Sequence, residues 1–449
     1  MGQKIDRTYL FERMPVGQAV RRQIIPSIAS QMVILLYNLA DTYFVGLLND
    51  AAQTAAVSLA YSVTLLMTAL ANLFAVGGAG RIAQLLGRRD RDGAREVCAV
   101  SFWFALLASA AFCVLFTLLS SPILRLCGAT DETYALACGY SRWVISVGGT
   151  FSILNTVLAN LIRADGSAFA ASMGVSAGGI INMLLDPLFV LPRFLGMGAE
   201  GAGLATAISN AAGMLILLGI IAARRRVGVV ALRPGDLRAA RRHIGRILRI
   251  GLPSAVQFLL TLVAVGALMK FMSLYDTAAV AALGIVKKLD MLPLYFSIGV
   301  ANGLLPLLAY NYSAENHERR HRIFLCGCAV AVGFSVVCVA GYEVFAPALV
   351  RIFIGDAQTI ACGTKLLRIM VLAMPMMSVC YPMITQFQAM GRMRESLICS
   401  ILRKGSLDIP LLFVLNALFP LYGCAAVQPI VDCICMIVAI YFYKKLPTA

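Results

Sequence analysis

Two acids stand where the chain is otherwise uncharged. Asp41, in LLYNLADTYFVGLL at 35–48, is the one charged residue between Ile24 and Leu48. Asp186 ends the run NMLLD at 182–186 and is followed by Pro187. A charged side chain at the centre of a membrane costs about 2.5 kcal/mol or more, and intramembrane acids mark ion or substrate pathways. Asn182 lies four residues before Asp186, so amide and carboxyl share one helix face. Pro187 has no N–H to give Met183, which frees a carbonyl beside the acid. At 1.5 Å per residue both acids fall about 10 Å below the outer ends of their spans. Two buried carboxyls at matching depth suit a site for H⁺ or Na⁺. A closed apolar cavity disfavours their charge, and an open wet one tolerates it. The competing structural readings are that Asp41 snorkels from a helix end and that Asp186 caps a helix broken at Pro187.

The elements that must position these acids follow from the apolar runs. The chain is 60% apolar and 13% charged, too apolar for the interior of a soluble fold of 449 residues. Runs of about 20 apolar residues predict an all-α membrane protein with twelve spans. They lie at 22–47, 53–80, 96–121, 133–160, 168–192, 200–223, 248–274, 278–309, 322–347, 362–389, 396–419 and 422–443. The first run is too long for a cleavable signal. Residues 224–246, with eight Arg, form an expected cytoplasmic linker that separates a bundle at 1–223 from one at 247–449.

The net charge of +16 raises the possibility of nucleic acid, but its distribution excludes that partner. Of 38 Lys and Arg, 29 cluster in the N-terminal tail, at 81–95, Arg163, 224–249, 319–322, 392–404 and 444–445. The intervening turns carry Asp50, Asp131, Glu132, Glu200, Asp276 and Asp356. This alternation places both termini in the cytoplasm. The thirteen Cys and three His show no ligand spacing.

The halves repeat. Pro26 matches Pro253, Gly166 matches Gly391, Arg142 matches Arg368, and AQLLGRRDRDGAREV at 83 matches AYNYSAENHERRHRI at 309. Six spans per half, both starting inside, make two pseudo-symmetric bundles related by an axis along the membrane normal, as in transporters. The second half lacks the acids: Asp41 maps near Leu268, and Asp186 near Leu411 or, with a small shift, Asp408. It has instead Lys287, Lys288 and Asp290, with Lys287 and Asp290 spaced to pair on one face. Asp432 is a further intramembrane acid.

Taken in order, "P…LADTYFVG" at 26–46, "AQLLGRRDRDGA" at 83–94, "LIRADG" at 161–166, "NMLLDPLF" at 182–189, "GLPSAVQ" at 251–257 and "GLLPLLAYNYSAEN" at 303–316 resemble the multidrug and toxic compound extrusion (MATE) family over nearly the whole chain. The resemblance implies export of varied, often cationic, small organic compounds against inward H⁺ or Na⁺, with no cofactor and no enzymatic reaction. In the DinF-like branch the coupling residues match Asp41, Asp186 and Asn182, with Asn155, or the nearby Asn160, in span 4. The acid that the NorM-like branch carries in span 7 is replaced here by Thr261. Tyr37, Asn160, Lys287, Asp290 and Asp432 are candidate cavity residues. The expected setting is the inner membrane, and the expected state a monomer. The alternatives are a major-facilitator-type transporter and a lipid-linked oligosaccharide flippase. The flippase should carry several Arg in its first-half cavity, where only Arg142 and Arg163 qualify.

Overall fold

The computed structural model describes residues 8–48, 50–225 and 227–446; the ends of the chain, where the termini were expected to be cytoplasmic, lie outside the described residues. The first half contains α1 (Val16–Gly46), α2 (Ala51–Gly87), α3 (Arg91–Leu126), α4 (Asp131–Ser141), α5 (Gly149–Ala164), α6 (Ala168–Val190) and α7 (Gly198–Ala223). The second contains α8 (Ala240–Met272), α9 (Thr277–Ser313), α10 (His317–Arg351), α11 (Ala357–Val371), α12 (Met374–Ala389), α13 (Met393–Ile401), α14 (Asp408–Leu418) and α15 (Tyr422–Lys444). Among the described residues nine helices are long and apolar enough to cross a membrane. Two bent pairs, α4 with α5 and α11 with α12, add two spans. The twelfth is α13 and α14, joined through a wide turn at Leu402–Ser406.

Helix ends show the repeat in backbone form. Asp50 caps α2 by accepting from Ala52 N–H at 2.9 Å, and Asp276, 226 residues on, caps α9 by accepting from Ala279 N–H at 2.6 Å. Asp90 and Asn316 stand in the same relation before α3 and α10. The residues preceding them, Arg89 (φ 63°) and Glu315 (φ 59°), are both left-handed. Each ends its helix with the same pair of bonds, Asp90 N–H to Leu85 O and Asn316 N–H to Asn311 O among them, which satisfy the last carbonyls. Gly166 (φ 79°) and Gly391 (φ 72°) close α5 and α12 alike. Both need the left-handed region that glycine enters without strain.

The halves meet reciprocally, α1 on α9 and α2 on α8. Glycine makes the approach possible: a Cβ at Gly77 would lie 2.2 Å from the Ile247 carbonyl oxygen, and one at Gly303 would lie 2.7 Å from Ile24 Cα. One apolar core, with Ile82, Leu161, Ile247, Leu304 and Phe387, is common to both halves at the linker end. At the opposite end each half has its own, Ala56, Leu124 and Ala137 in the first and Val286, Leu367 and Val431 in the second. The molecule is therefore joined at one end and parted at the other.

Two expectations change in detail. The helix after the linker begins at Ala240, so its first seven residues lie inside 224–246, because RRHIGRILRI turns His243, Ile247 and Ile250 inward. The linker is also docked: Val229 N–H donates to Asp165, and Trp103 Nε1 donates to Leu232 O at 3.2 Å. The basic cluster at 392–404 does not all stay at the surface: Arg394 is exposed, Arg403 is not. Arg403 is fully buried within span 11, because Asp432 pairs with it there.

Candidate functional site

Asp41 projects from α1 and Asp186 from α6, neighbouring helices of the first half. Both side chains are buried, and Asp186 feels the charge of Asp41. The Tyr140 hydroxyl hydrogen-bonds Asp41 from α4. Asn182 Nδ2 donates to Asp186 Oδ1 at 3.3 Å and lies 3.4 Å from Thr206 Oγ1 on α7. Asn155 Nδ2, on α5, reaches Asn210 Oδ1 at 3.4 Å, and Asn210 donates to the Thr206 carbonyl. Amides and a hydroxyl thus form a chain from Asn155 to Asp186. Tyr37, one turn before Asp41, lies within electrostatic reach of both acids. It packs over Gly179, where a Cβ would sit 2.7 Å from Val33 Cγ1 and 3.1 Å from Tyr37 Cδ1.

Four buried oxygens in this group have no hydrogen-bond partner: Asp41 Oδ1, Asp186 Oδ2, Asn182 Oδ1 and Asn155 Oδ1. Among the described residues no Lys, Arg or His pairs with either acid. Unpaired buried acceptors are costly. Their chemistry fits a proton or a hard cation that takes oxygen ligands. No set of three His, Cys, Asp or Glu gathers elsewhere among the described residues to hold a metal.

The other sequence candidates fall in different places. Asn160 is buried but donates to the Thr156 carbonyl at 2.9 Å, within its own helix. Arg163 is buried and donates to Ser30 Oγ at 3.0 Å, whereas Arg142 is exposed. Thr261 donates to the Gln257 carbonyl. The expected Lys287–Asp290 pair does not form. Lys287 instead lines a cavity of the second half with Leu268, Lys404, Asp408 and Gln428. Asp290 lies near Tyr342, whose hydroxyl donates to the Leu289 carbonyl at 2.8 Å.

Asp432 belongs to a closed ionic group. Arg403 Nε donates to Asp432 Oδ1 at 2.9 Å, and Gln428 Nε2 donates to its other oxygen at 2.9 Å. Lys404 Nζ donates to Gln428 Oε1 at 2.6 Å. The Arg403 guanidinium lies 4.3 Å above the Tyr381 ring. Sequence reasoning missed Tyr140, Thr206 and Asn210 in the first half, and Arg403, Lys404 and Gln428 in the second. A signal existed for Thr206 and Asn210, two polar residues four apart in an apolar span. Arg403 was hidden by its place at the end of a basic run.

The MatE family model matches residues 26–188 and again 253–414, one match in each half. The multidrug export protein MepA of Staphylococcus aureus is 29% identical over 437 residues, covering 97% of this chain and 95% of that protein. The MepA of Staphylococcus saprophyticus is 27% identical over 436 residues, with the same coverage. A solved structure described as the outward-facing conformation of a multidrug resistance MATE family transporter of the MOP superfamily superposes with a TM-score of 0.91. It is 25% identical, and the match covers 98% of both chains. A MOP superfamily transporter from Pyrococcus furiosus, described as having a binding pocket of reverse polarity, also reaches 0.91 at 25% identity, covering 99% of this chain and 98% of that one. The repeated family match, the shared length and the twelve-span architecture agree: the chain belongs to the MATE family and is a multi-pass membrane transporter, not an enzyme.

Proposed function

We propose that the protein is a secondary active exporter of lipophilic, often cationic organic compounds, exchanged for H⁺ or Na⁺ by alternating access. The names of its relatives support the drug-export part of this reading. The observation that carries the coupling part is the pair Asp41 and Asp186, buried together, without a basic partner and with unmatched oxygens. Asn182 and Asn155 would complete the ion's oxygen set, and Tyr140 and Thr206 would orient it. Ion entry removes negative charge, so the hold on a cationic substrate weakens and its release is favoured. At an effective dielectric of about 20, two charges 4 Å apart interact by roughly 4 kcal/mol, and half of that changes affinity about thirtyfold.

The protein would act as a monomer in the cytoplasmic membrane, with no resident cofactor and with both termini and the linker inside. The two halves, 1–223 and 247–449, would be its moving bodies. The partition of basic residues supports that orientation, and the core common to both halves at the linker end supports a state open outward.

Dye export into the lumen of everted vesicles, under separately imposed pH and Na⁺ gradients, tests the reading. Efflux should respond to one gradient and vanish without it. Transport indifferent to both gradients would reject ion coupling. A Gly235→Cys variant should be labelled by an impermeant reagent only in permeabilised cells.

A further inference from the structure

The linker-side ends of α2 and α8 carry a charged cluster that the transport reading does not use. Gly77 of α2 lies against the Ile247 carbonyl, and Gly251 of α8 against the Leu73 carbonyl. Four residues forward on α2 thus match four residues back on α8, so the helices run antiparallel in contact. One turn past Gly77, Arg81 comes level with the turn that carries Arg242 and Arg246. Arg81 is 4% exposed. Its Nη1 donates to Gln84 Oε1 at 3.2 Å, while its buried Nε has no acceptor.

Three further guanidinium groups act on Arg81, those of Arg88, Arg242 and Arg246, all at the surface. Among the described residues one acid, Asp90, opposes them. Its carboxylate is already engaged, accepting from Gly93 N–H at 2.8 Å to cap α3. The neighbouring Glu96 is likewise held, 2.8 Å from His243 Nε2. Four guanidinium groups, one of them a buried donor, therefore gather against a single protein anion that already caps a helix. Guanidinium forks match tetrahedral oxyanions, which accept several such donors at once. Depth narrows the source. From Ala51 to Arg81 α2 rises about 45 Å at 1.5 Å per residue, which is about the full bilayer thickness with its headgroups.

We propose that Arg81, Arg88, Arg242 and Arg246 form a phosphate site at the inner headgroup layer, occupied by the headgroup of an anionic glycerophospholipid. Two residues come from α2 and its C-cap and two from the start of α8, so the occupant ties α2 to α8 where the halves are joined. The site goes beyond the transport reading and takes from it only the orientation in the membrane.

Native mass spectrometry of the full-length protein tests this with phosphatidylglycerol and phosphatidylcholine as probes. The wild type should retain phosphatidylglycerol in preference. Each surface arginine contributes about fivefold, so the Arg242→Gln, Arg246→Gln variant should lower that retention about twenty-fivefold. Among the described residues these two exposed side chains make no ion pair, which keeps the fold out of the comparison. Arg394→Gln with Lys444→Gln, basic residues elsewhere at the same end, should leave retention unchanged. Equal retention of both lipids, or equal loss in the distant variant, overturns the site. Stabilisation by inorganic phosphate without lipid preference overturns the lipid as its occupant.

Discussion

Asn182 and Thr206 in the first half correspond, 226 residues on, to Asp408 and Asp432 in the second. The buried faces agree with that pairing, since α6 buries Asn182 and Asp186 where α14 buries Asp408 and Leu412. Neutral amide and hydroxyl thus become acids, while Asp186 becomes leucine. Of the buried acids, Asp41 and Asp186 in the first half have no base among the described residues. Those of the second are answered by Arg403, Lys404 and Lys287, all covalently part of the chain. A site whose counter-charge must arrive from solution can cycle. One that carries its own counter-charge is held shut. The same duplicated scaffold can therefore build an exchange site and an ionic brace at equivalent places.

The largest effect should come from breaking the brace. Arg403→Leu strands a buried carboxylate at Asp432, and loss of one partner of such a pair costs about 3–5 kcal/mol. Thermal unfolding in detergent should show a large drop, and Arg403→Leu with Asp432→Leu should recover most of it. An Arg403→Leu protein as stable as wild type would make the second half an ion site too. Next, Asp41→Asn and Asp186→Asn should each reduce gradient-driven efflux about thirtyfold or more, corresponding to about 2 kcal/mol of lost charge interaction. Expression and unfolding temperature should hold. Wild-type efflux by a well-folded double variant would move coupling to the second half.

A smaller change is expected at Gly179. Its replacement by Ala crowds Val33 and Tyr37, and overpacking costs about 1 kcal/mol at the low end. Tyr37 should shift, and efflux should fall several-fold without loss of folded protein. An unchanged rate would detach Tyr37 from the site. The smallest effect belongs to Lys287→Met. Lys404 and Arg403 remain, so efflux of a cationic dye should stay within about twofold, below 0.5 kcal/mol. A drop as large as that of Asp41→Asn would erase the contrast between the halves.

Much of this was legible in the chain because membrane spans declare themselves. Their length, the alternation of basic and acidic turns, and acids such as Asp41 and Asp186 are properties of sequence alone. The acidic turns were legible too: Asp50, Asp276 and Asp356 were expected between spans, and the structure adds that each caps a helix. Cross-helix partners were not. Tyr140 comes to Asp41 from a different span, and no local spacing encodes that meeting. Lys287 and Asp290 show the opposite failure. Their spacing permits a pair, yet the cavity offers Lys287 a different setting.

The wide turn at Leu402–Ser406 has a genetic meaning. Before it, α6 and α13 keep their buried residues 225 positions apart, as with Ala171 and Ser396 or Gly174 and Cys399. After it the interval is 226, from Asn182 to Asp408. Such turns accommodate one extra residue within a continuing helix. One extra residue in the second half, absorbed by this turn, accounts for the change of interval and leaves the same face buried downstream, where without the turn it would have swung by about 100°. Divergence of the two halves at this place needed no new fold, only one residue and the substitutions around it.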